Sequence, residues 1–164
     1  MKKRVIIGAC IIAVLLCMVG IALYTSNQPV HIVDPTTPPE RYYAIGDTVV
    51  IDDIALTVLH AGIFENSEYY GIERGYRLYG VYIKVSNITE EQVYFDDCGL
   101  TTYSNGVLCE SYLFVDDAIG SFYLDGNQNR YGWLYYIVPK NAKNISVEYT
   151  YDALSDSKII FKVK

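Results

Sequence analysis

Three pairs of adjacent aspartates are the residues of this 164-residue chain that most resemble metal ligands. Hard cations such as Ca²⁺ bind clustered carboxylate oxygens, which acidic loops at one end of a β-sandwich could supply. The regular spacing of a calcium loop is missing, however, and aspartate is also an ordinary turn residue. Calcium is the one cofactor considered, with solvated turns as the alternative, and its candidate ligands are Asp52, Asp53, Asp96, Asp97, Asp116 and Asp117.

Cys98 and Cys109 are the cysteines that follow the N-terminal apolar run, and an extracellular compartment would permit a disulfide between them. The Asn-Gly pair at 105–106 predicts a two-residue hairpin turn, which places Thr102 opposite Cys109. Cys98 then lies roughly 13 Å further along the strand, whereas a disulfide needs Cα atoms within about 7 Å. The alternatives are a bridge, if Gly99 bends the strand back, and two buried free thiols.

A long loop at 64–77 contains the residue types that most often anchor recognition surfaces. Tyrosine offers a rigid contact area and arginine a forked set of donors, and loops carry binding more often than strands do. The loop could therefore contact a protein partner or an envelope polymer, although its tyrosines could instead pack on the sandwich edge. The candidate binding residues are Tyr69, Tyr70, Arg74, Tyr76 and Arg77.

Catalysis has little support in the sequence. His60 is the single histidine of the expected domain, and its place in a predicted strand favours a core or edge residue over a general base. The sequence contains no nucleophile elbow, zinc-protease motif or phosphate-binding glycine loop. We therefore expect a protein that is not an enzyme. A hydrolase would require an exposed His60 beside an acid or a serine.

The elements that position these residues follow a period of two. Apolar side chains occupy every second position of 79–85, 145–151 and 159–163, which indicates strands with one face in a core and one in water. The segment 133–138 is apolar on both faces and predicts a central strand, which Pro139 ends. Further strands are expected at 48–51, 54–61, 92–95, 108–115 and 121–124.

Seven to nine short antiparallel strands with frequent turns indicate an all-β, immunoglobulin-like β-sandwich, with a small barrel as the alternative. The order of motifs strengthens this interpretation: an Ile-Gly-Asp opening at 45–47, a long strand ending in Asn87, the 105–106 hairpin, and a strand closed by Pro139. In this order they resemble a widespread bacterial family of exported immunoglobulin-like domains of unknown function. The family is similar in fold to the secreted mycobacterial immunogenic-protein sandwich.

That resemblance implies surface attachment and a sandwich, and it offers no catalytic residues to carry over. The chain departs from the family pattern at two places. Many members are lipoproteins, whereas a convincing acylation motif is missing here. Members often place Pro-Gly before the penultimate long strand, where this chain has Asp125-Gly126-Asn127.

The N-terminus predicts membrane attachment. Three cations precede an uncharged run at 5–24, which is long enough to cross a bilayer and places the C-terminal part outside the cell. A cleaved signal, or lipidation at Cys10 or Cys17, is the alternative. The chain thus divides into an anchor at 1–24, a proline-rich stalk at 25–44 and a sandwich domain at 45–164.

Charge narrows the range of partners. Three of the 13 cations precede the apolar run and all 19 acids follow it, so the exported part carries a formal charge of −9. Such an acidic surface repels phosphate backbones, and nucleic-acid binding is not expected. The predicted function is that of a membrane-anchored, extracellular, non-catalytic interaction module at a bacterial cell surface. A calcium-dependent adhesive domain and a lipoprotein-type envelope accessory protein are the alternatives.

Overall fold

The computed structural model describes residues 29–32, 42–64, 71–113, 115–152 and 157–164, and these residues form strands, turns and one 3₁₀ turn. The expectation of an all-β fold is therefore confirmed. In chain order the elements are β1 (Val30–Ile32), β2 (Tyr42–Ala44), β3 (Thr48–Ile51), β4 (Ile54–Ile63), β5 (Tyr76–Asn87), β6 (Val93–Phe95), the 3₁₀ turn (Asp97–Gly99), β7 (Leu100–Ser104), β8 (Val107–Leu108), β9 (Glu110–Ser111), β10 (Phe122–Leu124), β11 (Asn129–Pro139), β12 (Ile145–Asp152) and β13 (Ser157–Lys162).

Two mixed sheets form the sandwich. One has six strands in the order β1-β3-β4-β5-β11-β9, and the other has five in the order β2-β13-β12-β7-β8. A two-stranded ribbon pairs β10 with β6. The prediction of purely antiparallel strands was wrong at two edges, because β1 runs parallel to β3 and β2 runs parallel to β13. Neither pair is joined by a tight hairpin, so the chain can return in the same direction.

The thirteen described strands also exceed the seven to nine expected. Two of the additional strands, β1 and β2, lie in the segment predicted to be a stalk. The Tyr43 side chain is only 4% exposed and its ring packs 5.8 Å from that of Phe161, so this part of the chain belongs to the sandwich rather than to a tether. A third additional strand arises because the segment predicted as one strand at 108–115 is divided between the two sheets. Strand β8 belongs to the five-stranded sheet and β9 to the six-stranded sheet.

The predicted membrane helix at 5–24 and most of the predicted stalk lie outside the described residues. Within the described residues, no helix is long and apolar enough to cross a bilayer.

The core lies between the two sheets and follows the predicted alternation. Tyr79, Val81, Ile83 and Val85 of β5 are all buried, and every second residue of β12 and β13 packs against them. As predicted, β11 is a central strand, flanked by β5 and β9. Its outer face is also apolar because a second, smaller cluster around Leu78, Tyr112 and Tyr135 covers part of it.

At one end of the sandwich the Asn87 side chain is buried and joins three segments. Its amide nitrogen donates to the carbonyl oxygens of Glu91, at 2.6 Å, and Leu124, at 3.0 Å. Its amide oxygen accepts from both the backbone and the hydroxyl of Thr89, each at 2.9 Å. The predicted long strand ending in asparagine therefore ends in a side chain that uses its donors and acceptor to fix the following turn.

Candidate functional site

The hairpin after β7 forms as predicted. Asn105 and Gly106 both have positive φ, 51° and 80°, as a type I′ turn requires. The register pairs Ser104 with Val107, and the Cys109 amide donates to the Thr102 carbonyl at 2.8 Å. The turn thus starts a return strand along the edge of the five-stranded sheet.

That return strand leaves its sheet after two residues. At Cys109 the chain crosses to the other sheet, where β9 pairs with Tyr136 and Ile137 of β11. The Tyr112 amide then donates to the Tyr135 carbonyl at 2.8 Å. Consequently β8 is the edge of one sheet and β9 is the edge of the other, and a single short segment closes this side of the sandwich.

A groove of about 470 Å³ follows this crossing. Its opposite wall is the turn at 71–76, which the Lys140 amide holds by donating to the Gly75 carbonyl at 2.9 Å. The rim is apolar, since Val107 is 69% exposed, Leu108 is 58% exposed and the Tyr76 ring stands beside them. The lining residues are Gly71, Glu73, Tyr76, Ser104, Val107, Leu108, Cys109, Glu110, Ser111, Tyr112, Ile137 and Pro139.

Two buried polar groups lie at the groove. The Ser104 hydroxyl oxygen is buried and makes no hydrogen bond within the described residues. The Cys109 thiol lies 3.8 Å from the Val107 carbonyl oxygen, and burial raises the pKa of this thiol. Because the thiolate is the nucleophilic form, a thiol kept protonated in this way suits binding better than covalent catalysis.

The structure brings part of the predicted binding loop to this groove. Tyr76 lies in its wall, and Arg74 is exposed beside it. Arg77 is half-buried, and its Nε atom has no hydrogen-bond partner among the residues that the structure describes. Its positive charge favours ionisation of Tyr79, whose pKa is raised by burial. Tyr69 and Tyr70 lie outside the described residues, and partner binding by the five residues stays a prediction.

The sequence does not predict the wall that faces the turn at 71–76. It places Ser104, Leu108 and Glu110 in a hairpin and a continuous strand, and no proline or glycine between 107 and 113 signals the crossing. Only the pairing of the segment with two different sheets reveals the groove.

The six aspartates do not converge on one point. Asp52 and Asp53 form the exposed turn between β3 and β4, where Ile51 pairs with Ile54. Asp116 is exposed, and Asp117 accepts a hydrogen bond from the Tyr135 hydroxyl at 2.7 Å on the outer side of the six-stranded sheet.

Asp96 and Asp97 flank the start of the 3₁₀ turn. The Asp96 carboxylate accepts from the Cys98 amide at 3.0 Å, which lowers the pKa of Asp96, and Asp97 accepts from the Ser121 hydroxyl. Potential ligand atoms of Asp96, Asp97 and Cys98 lie within 4.8 Å of one another. Local hydrogen bonds already engage both carboxylates, so calcium binding stays a prediction.

Cys98 and Cys109 are both free thiols in the structure, but only Cys109 matches the prediction of two buried free thiols. Cys109 is buried, whereas Cys98 is exposed in the 3₁₀ turn. The hydrogen bond from the Cys98 thiol to Asp96, and the negative charges of Asp96 and Asp97, raise the pKa of Cys98. Strand β7 runs between the 3₁₀ turn, which contains Cys98, and the hairpin that precedes Cys109, so the two cysteines lie on separate elements.

We accordingly expect the unfolding midpoint of the domain to be unchanged by a reducing agent. A native disulfide constrains the unfolded chain and usually contributes about 2–4 kcal/mol, so its reduction would lower the midpoint clearly. Urea unfolding with and without reductant measures this. A Cys98→Ser variant serves as the control, because it cannot form the bridge under either condition.

His60 is exposed and lies on the outer face of the six-stranded sheet, not in the core. Its ring meets that of Trp133 edge to face at 6.1 Å. This contact gives the histidine an aromatic neighbour within the described residues, and the expectation of a non-catalytic protein stays a prediction.

The fold and the groove define the class of this protein, an all-β sandwich of two mixed sheets with an open edge. The chain belongs to the family described as a domain of unknown function, DUF4352, which matches residues 43–159. This confirms the resemblance found in the sequence. No protein of curated function matches the chain.

Solved structures share the fold. The secreted protein MPT63 of Mycobacterium tuberculosis is 12% identical, with a TM-score of 0.62 over 77% of this chain and 99% of that one. The yjhA protein of Bacillus subtilis is 14% identical, with a TM-score of 0.58 over 74% of this chain and 99% of that one. A candidate lipoprotein of Bacillus subtilis, ycdA, is 16% identical, with a TM-score of 0.58; the match covers 69% of this chain and 37% of ycdA.

Proposed function

We propose that this protein is a non-catalytic binding module of the bacterial cell envelope that accepts an extended segment of a partner protein in the groove between the β8–β9 segment and the turn at 71–76. The observation that carries the proposal is the presence of two sheet edges along one apolar groove. An edge strand has unpaired backbone donors and acceptors, and an added strand can satisfy them.

The side chains around the groove support this mode of binding. Main-chain hydrogen bonds supply affinity in strand addition, and pockets for alternate side chains supply specificity. Leu108 and Tyr76 present exposed apolar surface at the rim. Glu73 and Glu110 add negative charge, which favours a partner segment with a basic residue.

An extracellular or envelope location is part of the same proposal. MPT63 is described as secreted and ycdA as a candidate lipoprotein, and the cations before the apolar run at 5–24 favour export of the domain. Attachment through a retained membrane helix is the arrangement we favour, and lipidation at Cys17 is its alternative.

Short random peptides selected on the immobilised full-length chain would test the groove. We expect selected peptides to protect the backbone amides of 107–111 from hydrogen exchange, because a paired edge exchanges more slowly. A Leu108→Lys variant should bind them roughly tenfold more weakly, since it places a charge at the apolar rim. Tyr123→Ala, which removes a ring exposed on the β6–β10 ribbon, is the matched control.

Unprotected amides at 107–111 in the peptide complex, or equal binding by wild type and Leu108→Lys, would contradict the proposal. Loss of binding in Tyr123→Ala alone would place the ligand on the ribbon instead.

A further inference from the structure

A second surface, separate from the groove, lies on the outer face of the six-stranded sheet. Four rings form it, and we call it the aromatic platform: His60 of β4, Tyr82 of β5, and Tyr131 and Trp133 of β11. Residues His60, Tyr82 and Trp133 lie opposite one another in the strand register. None of the four lines the groove.

The rings form a continuous row. The Tyr82 ring centroid lies 4.9 Å from that of Trp133 and 6.5 Å from that of Tyr131, with interplanar angles of 40° and 28°. Tyr131 is 49% exposed and His60 is exposed, while Tyr82 and Trp133 are half-buried. The rings therefore follow one another along the sheet, and at one end of the row Trp133 also packs on Phe64 and Tyr135.

Two glycines leave room for this arrangement. Gly80 of β5 and Gly62 of β4 lie opposite each other in the neighbouring row. A Cβ atom at Gly80 would lie 3.0 Å from two carbon atoms of the Trp133 indole, so a larger residue there would require the ring to shift. The absence of a side chain at Gly80 therefore lets the Trp133 ring lie against the β5 backbone.

The charge of the platform differs from that of the rest of the domain. The exported part carries a net −9, yet the described outward-facing residues in the rows that cross the sheet at Tyr82 and at Lys84 include no acid. Lys84 is the cation of this surface, with its Nζ atom 5.9 Å from the Tyr131 ring centroid. An anion that most of the domain would repel could approach here.

We propose that the aromatic platform binds a glycan chain with carboxylate-bearing sugars. The C–H faces of sugar rings stack on aromatic faces, and the tyrosine hydroxyls remain available to hydrogen-bond sugar hydroxyls. Lys84 pairs with the carboxylate of the sugar that stacks on Tyr131. Neutral glycans gain the stacking without the ion pair to Lys84.

The single tryptophan of the chain gives a direct measurement, because Trp133 lies in the platform. The full-length chain, in a detergent without a sugar headgroup, is titrated with oligogalacturonate while Trp133 fluorescence is followed. We expect a saturable change that added salt weakens. Tyr131→Ala should weaken binding roughly fivefold through the lost stack, and Lys84→Gln about threefold through the lost ion pair.

Tyr123→Ala again serves as the control, since its ring packs 4.9 Å from that of Tyr94 on a different surface. It should bind oligogalacturonate as the wild type does. No saturable change, unaltered affinity in Tyr131→Ala, or equally tight binding of a neutral galactan oligosaccharide would overturn the proposal. Displacement of oligogalacturonate by the groove-selected peptides would also overturn it, because the two surfaces share no residue.

Discussion

Replacing Asn87 by alanine is expected to lower the free energy of unfolding by about 3 kcal/mol, because one buried side chain makes four hydrogen bonds. The substitution removes the amide and leaves the carbonyl oxygens of Glu91 and Leu124 and the amide of Thr89 without that partner. Urea unfolding, compared at equal m-values, measures the loss.

Asn129→Ala is the matched control. Its side chain is exposed at the start of β11, so the free energy of unfolding should change by no more than about 0.5 kcal/mol. A similarly small change in Asn87→Ala would show that water replaces the lost hydrogen bonds, and that the side chain does not hold the turn.

A second large effect is expected at Gly126. A Cβ atom there would lie 2.2 Å from the Glu90 carbonyl oxygen and 2.5 Å from its carbonyl carbon, both of which are backbone atoms. The neighbouring Asn127 amide donates to the Thr89 carbonyl at 2.8 Å, so the two turns cannot separate without losing this bond. Gly126→Ala should therefore cost about 3 kcal/mol, the upper range for overpacking.

Gly120→Ala distinguishes this crowding from backbone strain. Gly120 has a φ of +61° and nothing within 4 Å of its virtual Cβ atom, so alanine there should cost only about 1 kcal/mol. The difference between the two variants is the measurement of interest, taken from unfolding midpoints under identical conditions. Equal losses in both would mean that the turns move apart freely.

The two turns that meet at Gly126 lie where the sequence departs from the Pro-Gly that the resemblance leads us to expect. The close approach of the Glu90 backbone leaves no room for a side chain at Gly126.

Much of the sandwich could be predicted because its information is local. Alternation at 79–85 places four side chains in the core, and the Asn-Gly pair at 105–106 predicts a turn with two positive φ angles. The two-sided apolar segment at 133–138 predicts a central strand, which β11 is. In each case the backbone geometry follows from residues that are neighbours in the sequence.

The missed features depend on distant parts of the chain. Tyr43 was assigned to a stalk because prolines precede it, and only its contact with Phe161 reveals that it is a core residue. The crossing at Cys109 likewise depends on which sheet offers a free edge. Pairing between remote strands cannot be inferred from local composition. For the same reason the sequence underestimates the number of strands.

The candidate sites divide in the same way. Tyr76 could be proposed from its residue type and its loop, but the wall that faces it could not. The sequence did not predict the aromatic platform, because tyrosines that face solvent and tyrosines that face the core follow the same period of two. The bulge near His60 in β4 places that residue in register with Tyr82, and such an irregularity has no clear sequence signal.

The parallel pairing of β2 with β13 joins the second described strand to the thirteenth. Tyr43 cannot complete the core until Phe161 has been synthesised and has reached the same compartment. Pairing across such a large sequence separation raises the contact order, which slows folding. A domain threaded through a translocon from its N-terminal side would thus cross unfolded and close only when β13 emerges.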